Sequence, residues 1–388
     1  MTIPRTRAVL SAFCFALILL LAQVMLPLVG VGARPFQEQP PPASPPGEQQ
    51  KPEEQADDQG DEQDRSLEQQ EYPPEPIFRR PAAQYPWTFV AYGDVRFTDP
   101  AKDKVSYPWE RVKLVEKIAE EKPAFISFTG DIVNRGSRAA DWLVYDAETQ
   151  PWRDAGIPVY PVLGNHDVQG NDQRALENYF GRYPELKQRR WYAFQYANAY
   201  FLMLDSTADI SEGSAQWRWL VDQLDHRVPQ DADYVFLMLH HPPYTRSSSP
   251  MLKGKFRHGH SAREREEVLA FMLEEKRLRL RAQMVLLAGH VHNYERYQYD
   301  HVMYVVTGGG GATPYTFRRL SDDFYHGRGP TFHYCLFTVH ENKLEMRMVK
   351  LERDGDQALW SVADSFEMPR MDKSAAPEEL SPLSTPRK

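Results

Sequence analysis

The feature that most constrains this chain is a pattern repeated along its middle: short apolar runs, each stopping at a polar cluster of Gly, Asp, Asn or His. The run 88–92 stops at Gly93-Asp94, 125–129 at Gly130-Asp131, and 159–163 at Gly164-Asn165-His166-Asp167. The run 234–239 stops at His240-His241-Pro242-Pro243, and 284–288 at Gly289-His290-Val291-His292. Runs of this length, rich in β-branched and aromatic residues and bounded by Gly or Pro, predict buried strands. Helical spacing lies between them, over 108–119, 138–148, 214–226 and 262–280. Strands alternating with helices predict an α/β fold, and in open α/β sheets ligands gather at the carboxyl ends of strands. One Asp after a Gly is usually a turn, and one His is usually a core or surface residue. A cluster at the end of every strand points instead to a single convergent site.

The residue types in the clusters narrow the chemistry. Carboxylate, amide and imidazole donors suit borderline divalent metals such as Mn, Fe or Zn. The chain has only two cysteines, Cys14 and Cys335, so neither a disulfide framework nor a thiolate zinc module is available. A carboxylate has two oxygens and can bridge two ions. An i, i+2 histidine pair such as His290 and His292 can serve both if its loop curves around them. Two ions ~3.5–4 Å apart polarise a phosphoryl oxygen and acidify a water, so hydrolysis then needs no protein nucleophile.

Taken in order, the clusters resemble the calcineurin-like metallophosphoesterase superfamily. Asn293-Tyr294-Glu295-Arg296 and the glycine-rich run 307–311 look most like its purple-acid-phosphatase-like branch. The resemblance implies a single catalytic domain folded as a two-sheet αββα sandwich, with two divalent metal ions and a small-molecule phosphate ester as substrate. It implies that Asp131 bridges the ions, that Asp94 and His292 complete one, and that Asn165, His240 and His290 complete the other. His166 would stand beside the phosphate, donating a proton to the leaving group or contacting the transition state. Monoester and diester hydrolysis both remain open.

Two positions depart from the family pattern. The first motif is commonly Asp-x-His, but here it reads Asp94-Val95-Arg96, and arginine stays protonated and cannot ligate a metal. Arg96 either binds the substrate phosphate bidentately or pairs with a nearby acid. Asn134 stands where the purple branch has a tyrosine, so an iron–tyrosinate colour is not expected. Arg96 also raises a reading of another class, a degenerate non-catalytic metal- or phosphate-binding protein; the retention of the other ligands and of His166 speaks for the enzyme.

The ends of the chain carry different information. Arg5 and Arg7 precede an apolar run over 8–26, and Val31-Gly32-Ala33 offers small residues for cleavage. Residues 1–33 therefore read as a signal peptide or, uncleaved, as a membrane anchor, and either places the remainder outside the cytoplasm. Residues 34–84 read as a disordered Pro/Gln/Glu-rich linker. Within it, 37–76 holds twelve acids against two bases, which accounts for the whole-chain charge of −8. The catalytic domain is read over 85–368; residues 77–388 together carry −1, with no Lys/Arg excess of the kind nucleic-acid binding requires. The basic segment 244–261 follows His240 and predicts a substrate loop, and 369–388 reads as a tail.

Overall fold

Period-two alternation decides how the sheets must be covered. The strand Tyr234–Leu239 sends Phe236 and Met238 to one face and Val235, Leu237 and Leu239 to the other, and all six of its residues are buried. A strand buried on both faces needs a layer on each side.

The computed structural model describes residues 73–81, 84–102, 104–247, 262–316, 318–321 and 323–373. Its strands are β1 (Arg79–Arg80), β2 (Trp87–Tyr92), β3 (Ile126–Phe128), β4 (Tyr192–Tyr196), β5 (Ala199–Met203), β6 (Tyr234–Leu239), β7 (Gln283–Ala288), β8 (Tyr294–Tyr299), β9 (Val302–Thr307), β10 (Phe332–Val339), β11 (Lys343–Asp354) and β12 (Gln357–Pro369). They form a 7-stranded sheet in the order β1-β4-β5-β6-β7-β9-β8 and a 5-stranded sheet in the order β12-β11-β10-β2-β3. Helices are α1 (Pro108–Glu121), α2 (Ala139–Glu148), α3 (Gln150–Asp154), α4 (Asp172–Arg182), α5 (Ala215–Asp222) and α6 (Ala262–Leu280).

The sheets meet through aromatic rings. Phe89 of β2 stacks on Phe337 of β10 at 4.7 Å and meets Phe236 of β6 edge-on at 5.0 Å. Trp219 and Leu220 of α5 and Leu269 and Leu273 of α6 cover the outer face of the larger sheet. On the other side, Tyr92 stacks on Phe128 at 5.0 Å and meets Trp152 of α3, whose indole N–H donates to the Val115 carbonyl of α1. The result is the expected αββα sandwich. Arg296 of β8 ties its strand to β12 through a two-pronged pair with Asp364, at 2.7 and 2.9 Å.

Local outcomes differ from expectation where the chemistry explains it. Residues 159–163 form no strand; they lie beside β3 through Tyr160 N to Ile126 O and Val162 N to Phe128 O. Pro158 has no N–H to extend the ladder backwards, and the Tyr160 carbonyl accepts from the Ser127 hydroxyl at 2.7 Å. Val268, expected on the buried side of α6, is 45% exposed. The end of the linker read over 34–84 takes part in the fold: Phe78 stacks on Phe194, and Arg79–Arg80 pairs with β4. At the other end β12 runs through Pro369, and Lys373 bonds the carbonyls of Gln230 and Ala232. Among the described residues no helix is long and apolar enough to cross a membrane. The apolar run 8–26, the loop 248–261 and residues 374–388 lie outside the described residues.

Phe89→Ala removes the ring on which both sheets close. It should cost about 3–5 kcal/mol, read as a lower urea midpoint; a loss under about 1 kcal/mol would contradict this packing.

Candidate metal centre

The strand pairs β2–β3 and β6–β7 are both parallel, so the loops leaving them emerge at matching edges. Those loops turn sharply. Asp94, Arg96, Asp131 and His290 all adopt left-handed backbone, with φ of 57°, 53°, 52° and 67°. Such conformations cost non-glycine residues about 1–2 kcal/mol and persist only where surroundings hold them. Here Asp94 N donates to Gly130 O, Arg96 N to Asp131 O, and Gly289 N to His240 O. Gly130, at φ +90°, has no such latitude: a Cβ there would stand 2.6 Å from His240 Nδ1.

Asp94, Asp131, Asn165, His240, His290 and His292 are brought together in two groups. In the first, Asn165 Oδ1 lies 3.1 Å from His240 Nε2 and 3.0 Å from His290 Nδ1. The two imidazole nitrogens are 3.1 Å apart, and Asp131 Oδ1 is 3.3 Å from His240 Nε2. Donors about 2.0–2.2 Å from one ion stand roughly 3.0–3.4 Å apart along the edges of its shell, so this spacing fits a divalent ion. In the second group, ligand atoms of Asp94, Asp131 and His292 all lie within 4.8 Å of one another. Asp94 Oδ1 and His292 Nε2 are buried, 3.4 Å apart, and neither has a hydrogen-bond partner. These two buried atoms, one carboxylate and one imidazole, are acceptors that a cation or an added proton donor would satisfy.

Hydrogen bonds set the ring orientations. His240 Nδ1 meets the Thr129 carbonyl at 2.8 Å, and His292 Nδ1 meets the Thr313 carbonyl at 2.7 Å. A carbonyl only accepts, so each Nδ1 carries the proton and each Nε2 turns its lone pair inward. Burial lowers the pKa of all three histidines, with His240 adding to the effect on His290 and Arg96 to that on His292, which falls to about 3. All three are thus neutral imidazoles at neutral pH. Burial and the Asp131 charge push Asp94 well above the carboxylate range. Burial pushes Asp131 the same way, but His240, His166 and Arg96 more than reverse it and hold it well below that range.

The calcineurin-like phosphoesterase family profile matches residues 89–294, more than half of the chain. The chain belongs to this family. It is 23% identical over 250 residues to a phosphoenolpyruvate phosphatase of Allium cepa, covering 59% of this chain and 45% of that one. It is 24% identical over 322 residues to purple acid phosphatase 21 of Arabidopsis thaliana, covering 76% and 66%. The chain thus spans less than two thirds of the length of these relatives. Among solved structures, purple acid phosphatase PPD1 from yellow lupin (Lupinus luteus) seeds shares the fold with a TM-score of 0.58 at 17% identity, covering 79% of this chain and 58% of that one. GAP50, described as the anchor in the inner membrane complex of Plasmodium, shares it with a TM-score of 0.52 at 15% identity, covering 75% and 90%.

In this calcineurin-like phosphoesterase the remaining cluster residues fall around the donors. His166 is half-buried; its N–H donates to Asp131 Oδ1 at 2.9 Å and its Nδ1 meets Asn134 O at 2.7 Å. Of the two roles open to Arg96, the structure shows the pairing: Nη2 donates to Asp131 Oδ2 at 3.0 Å. Other contributions were not foreseen. Asp167 accepts from the backbone of Ile132, Val133 and Gly164, bracing two site loops, and it already stood in the Gly164-Asn165-His166-Asp167 cluster. Tyr315 stacks on His292 at 4.2 Å, with no sequence signal to mark it. His241 lies 4.4 Å from the His290 ring and meets Ser206 Oγ through Nδ1. The run Gly308–Gly311, read as a tight turn, lies against the Asp94 loop: a Cβ on Gly308 would stand 2.8 Å from Asp94 Oδ2.

Gly130→Ala should displace His240 and weaken Mn2+ binding about tenfold or more, measured by calorimetry. Wild-type affinity in the variant would contradict the placement of His240.

Proposed function

We propose that the chain hydrolyses small phosphate esters by water attack at a metal centre formed by Asp94, Asp131, Asn165, His240, His290 and His292. The observation that carries this reading is the pair of donor groups sharing Asp131, built from neutral imidazoles and buried carboxylates. Bound divalent ions (Mn, Fe or Zn) supply Lewis acidity there, withdrawing charge from a phosphoryl oxygen and making water acidic enough to attack.

The protein's own groups do the rest. Asp131 accepts the His166 N–H, which fixes His166 at the rim of the donors. The Asn134 carbonyl holds the Nδ1 proton of His166, so His166 acts as the doubly protonated imidazolium, its Nε2–H passing to the leaving oxygen as the P–O bond breaks and the water oxygen bonds to phosphorus. A cavity of about 580 Å3 is lined by Asn293, Arg318, Arg319, His326 and Arg328; no acidic residue lines it among the described residues. That lining supports anionic substrates, as does the phosphatase naming of the relatives. The N-terminal apolar run favours an extracytoplasmic location, either secreted or tethered.

Chelation should abolish hydrolysis of an aryl phosphate, and re-added Mn2+ or Zn2+ should restore it. Asp131→Ala and His290→Ala should each lower kcat by at least about a thousandfold while leaving soluble, folded protein. Wild-type turnover in either variant would sink the assignment. Protein that binds metal yet turns over neither monoesters nor diesters would instead be the binding protein that Arg96 raises as the rival.

A further inference from the structure

We infer that Arg96 is the second cation of this site. The chain holds one divalent ion tightly, among Asp131, Asn165, His240 and His290, and the guanidinium supplies the positive charge on the Asp94–His292 side. The inference rests on the proposed function and specifies its metal content.

The oxygens of Asp131 are divided. Oδ1 takes the His166 N–H at 2.9 Å and faces His240 Nε2 at 3.3 Å. Oδ2 takes Arg96 Nη2 at 3.0 Å and Nε at 3.3 Å. An ion between Asp94 and His292 would have to share Oδ2 with a fixed positive charge and would find only three protein ligands, whereas the other group offers four. Like charges crowded in a buried site repel strongly, because little water screens them.

The guanidinium is built into place. Its backbone runs beside the bridging residue, with Arg96 N donating to Asp131 O and Phe97 N to Ile132 O, and Phe97 bridges Val133. The side chain is 13% exposed. Nη1 has no acceptor among the described residues, so part of the fork is open to a phosphoryl oxygen.

The test loads the full chain with Mn2+, removes loose metal by gel filtration, and measures metal content and electron paramagnetic resonance. Wild type should retain about one ion per chain with the hyperfine pattern of an isolated ion, His292→Ala should retain the same, and His290→Ala should lose it. Arg96→His should gain about one further ion and show an exchange-coupled spectrum. Arg96→Met should bind inorganic phosphate about tenfold more weakly in the loaded protein. Two tightly held, coupled ions in active wild type, loss of the ion in His292→Ala, or unchanged phosphate binding in Arg96→Met would each overturn the inference while leaving the hydrolase reading intact. Wild type that holds no ion would defeat both. If Arg96→His fails to fold, the contrast between His290→Ala and His292→Ala decides.

Discussion

Asp131 is a carboxylate with no solvent contact, held ionised by two histidines, an arginine and a backbone amide. Those partners come from three different loops, so keeping that charge buried ties down the strand ends around it. His240 arrives from β6, His166 from the loop after residue 163, and Arg96 from the loop after β2. If Asp131 were neutral, His240, His166 and Arg96 would lose the buried negative charge that they face. The fold brings the loops close, and the carboxylate holds their donors in place.

The sandwich makes this possible by putting two parallel strand pairs from different sheets edge to edge. The contact that closes it is the His290 amide donating to Asp94 Oδ2 at 2.8 Å, between residues 196 positions apart in the chain. Close approach depends on residues without side chains. Gly164 leaves room for Asp131 Oδ1, which would lie 2.4 Å from a Cβ there, and Gly289 leaves room for Asp94 Oδ2 at 2.6 Å. The aromatic interior between the sheets keeps these backbones from drifting, since Phe89 contacts both layers.

Much of this was legible. The strand run 234–239 appears with the expected bounds, because apolar runs bounded by turn residues are a local signal. The donors were legible because each sits next to a glycine or another polar residue at a strand end, and four of those ends belong to strands. The run at 159–163 misled because its apolar composition carries no sign that the Tyr160 carbonyl bonds the Ser127 hydroxyl. Strand β12 was missed: it alternates exposed and half-buried residues and pairs only along one edge, so its signal is weak. Tyr315 could not be read at all, since its place on His292 follows from a loop path.

By itself the sequence determined which chemistry was available: oxygen and nitrogen donors at successive strand ends, no thiolates among them, and an arginine where a histidine would have been a ligand. Those facts follow from residue identity and local spacing, which neighbours along the chain decide. Only the tertiary structure decided how the donors divide around Asp131, which ring nitrogens face inward, and that Arg96 reaches Asp131 Oδ2. These depend on distances between loops far apart in sequence, fixed by how two sheets pack, and no local pattern carries that information.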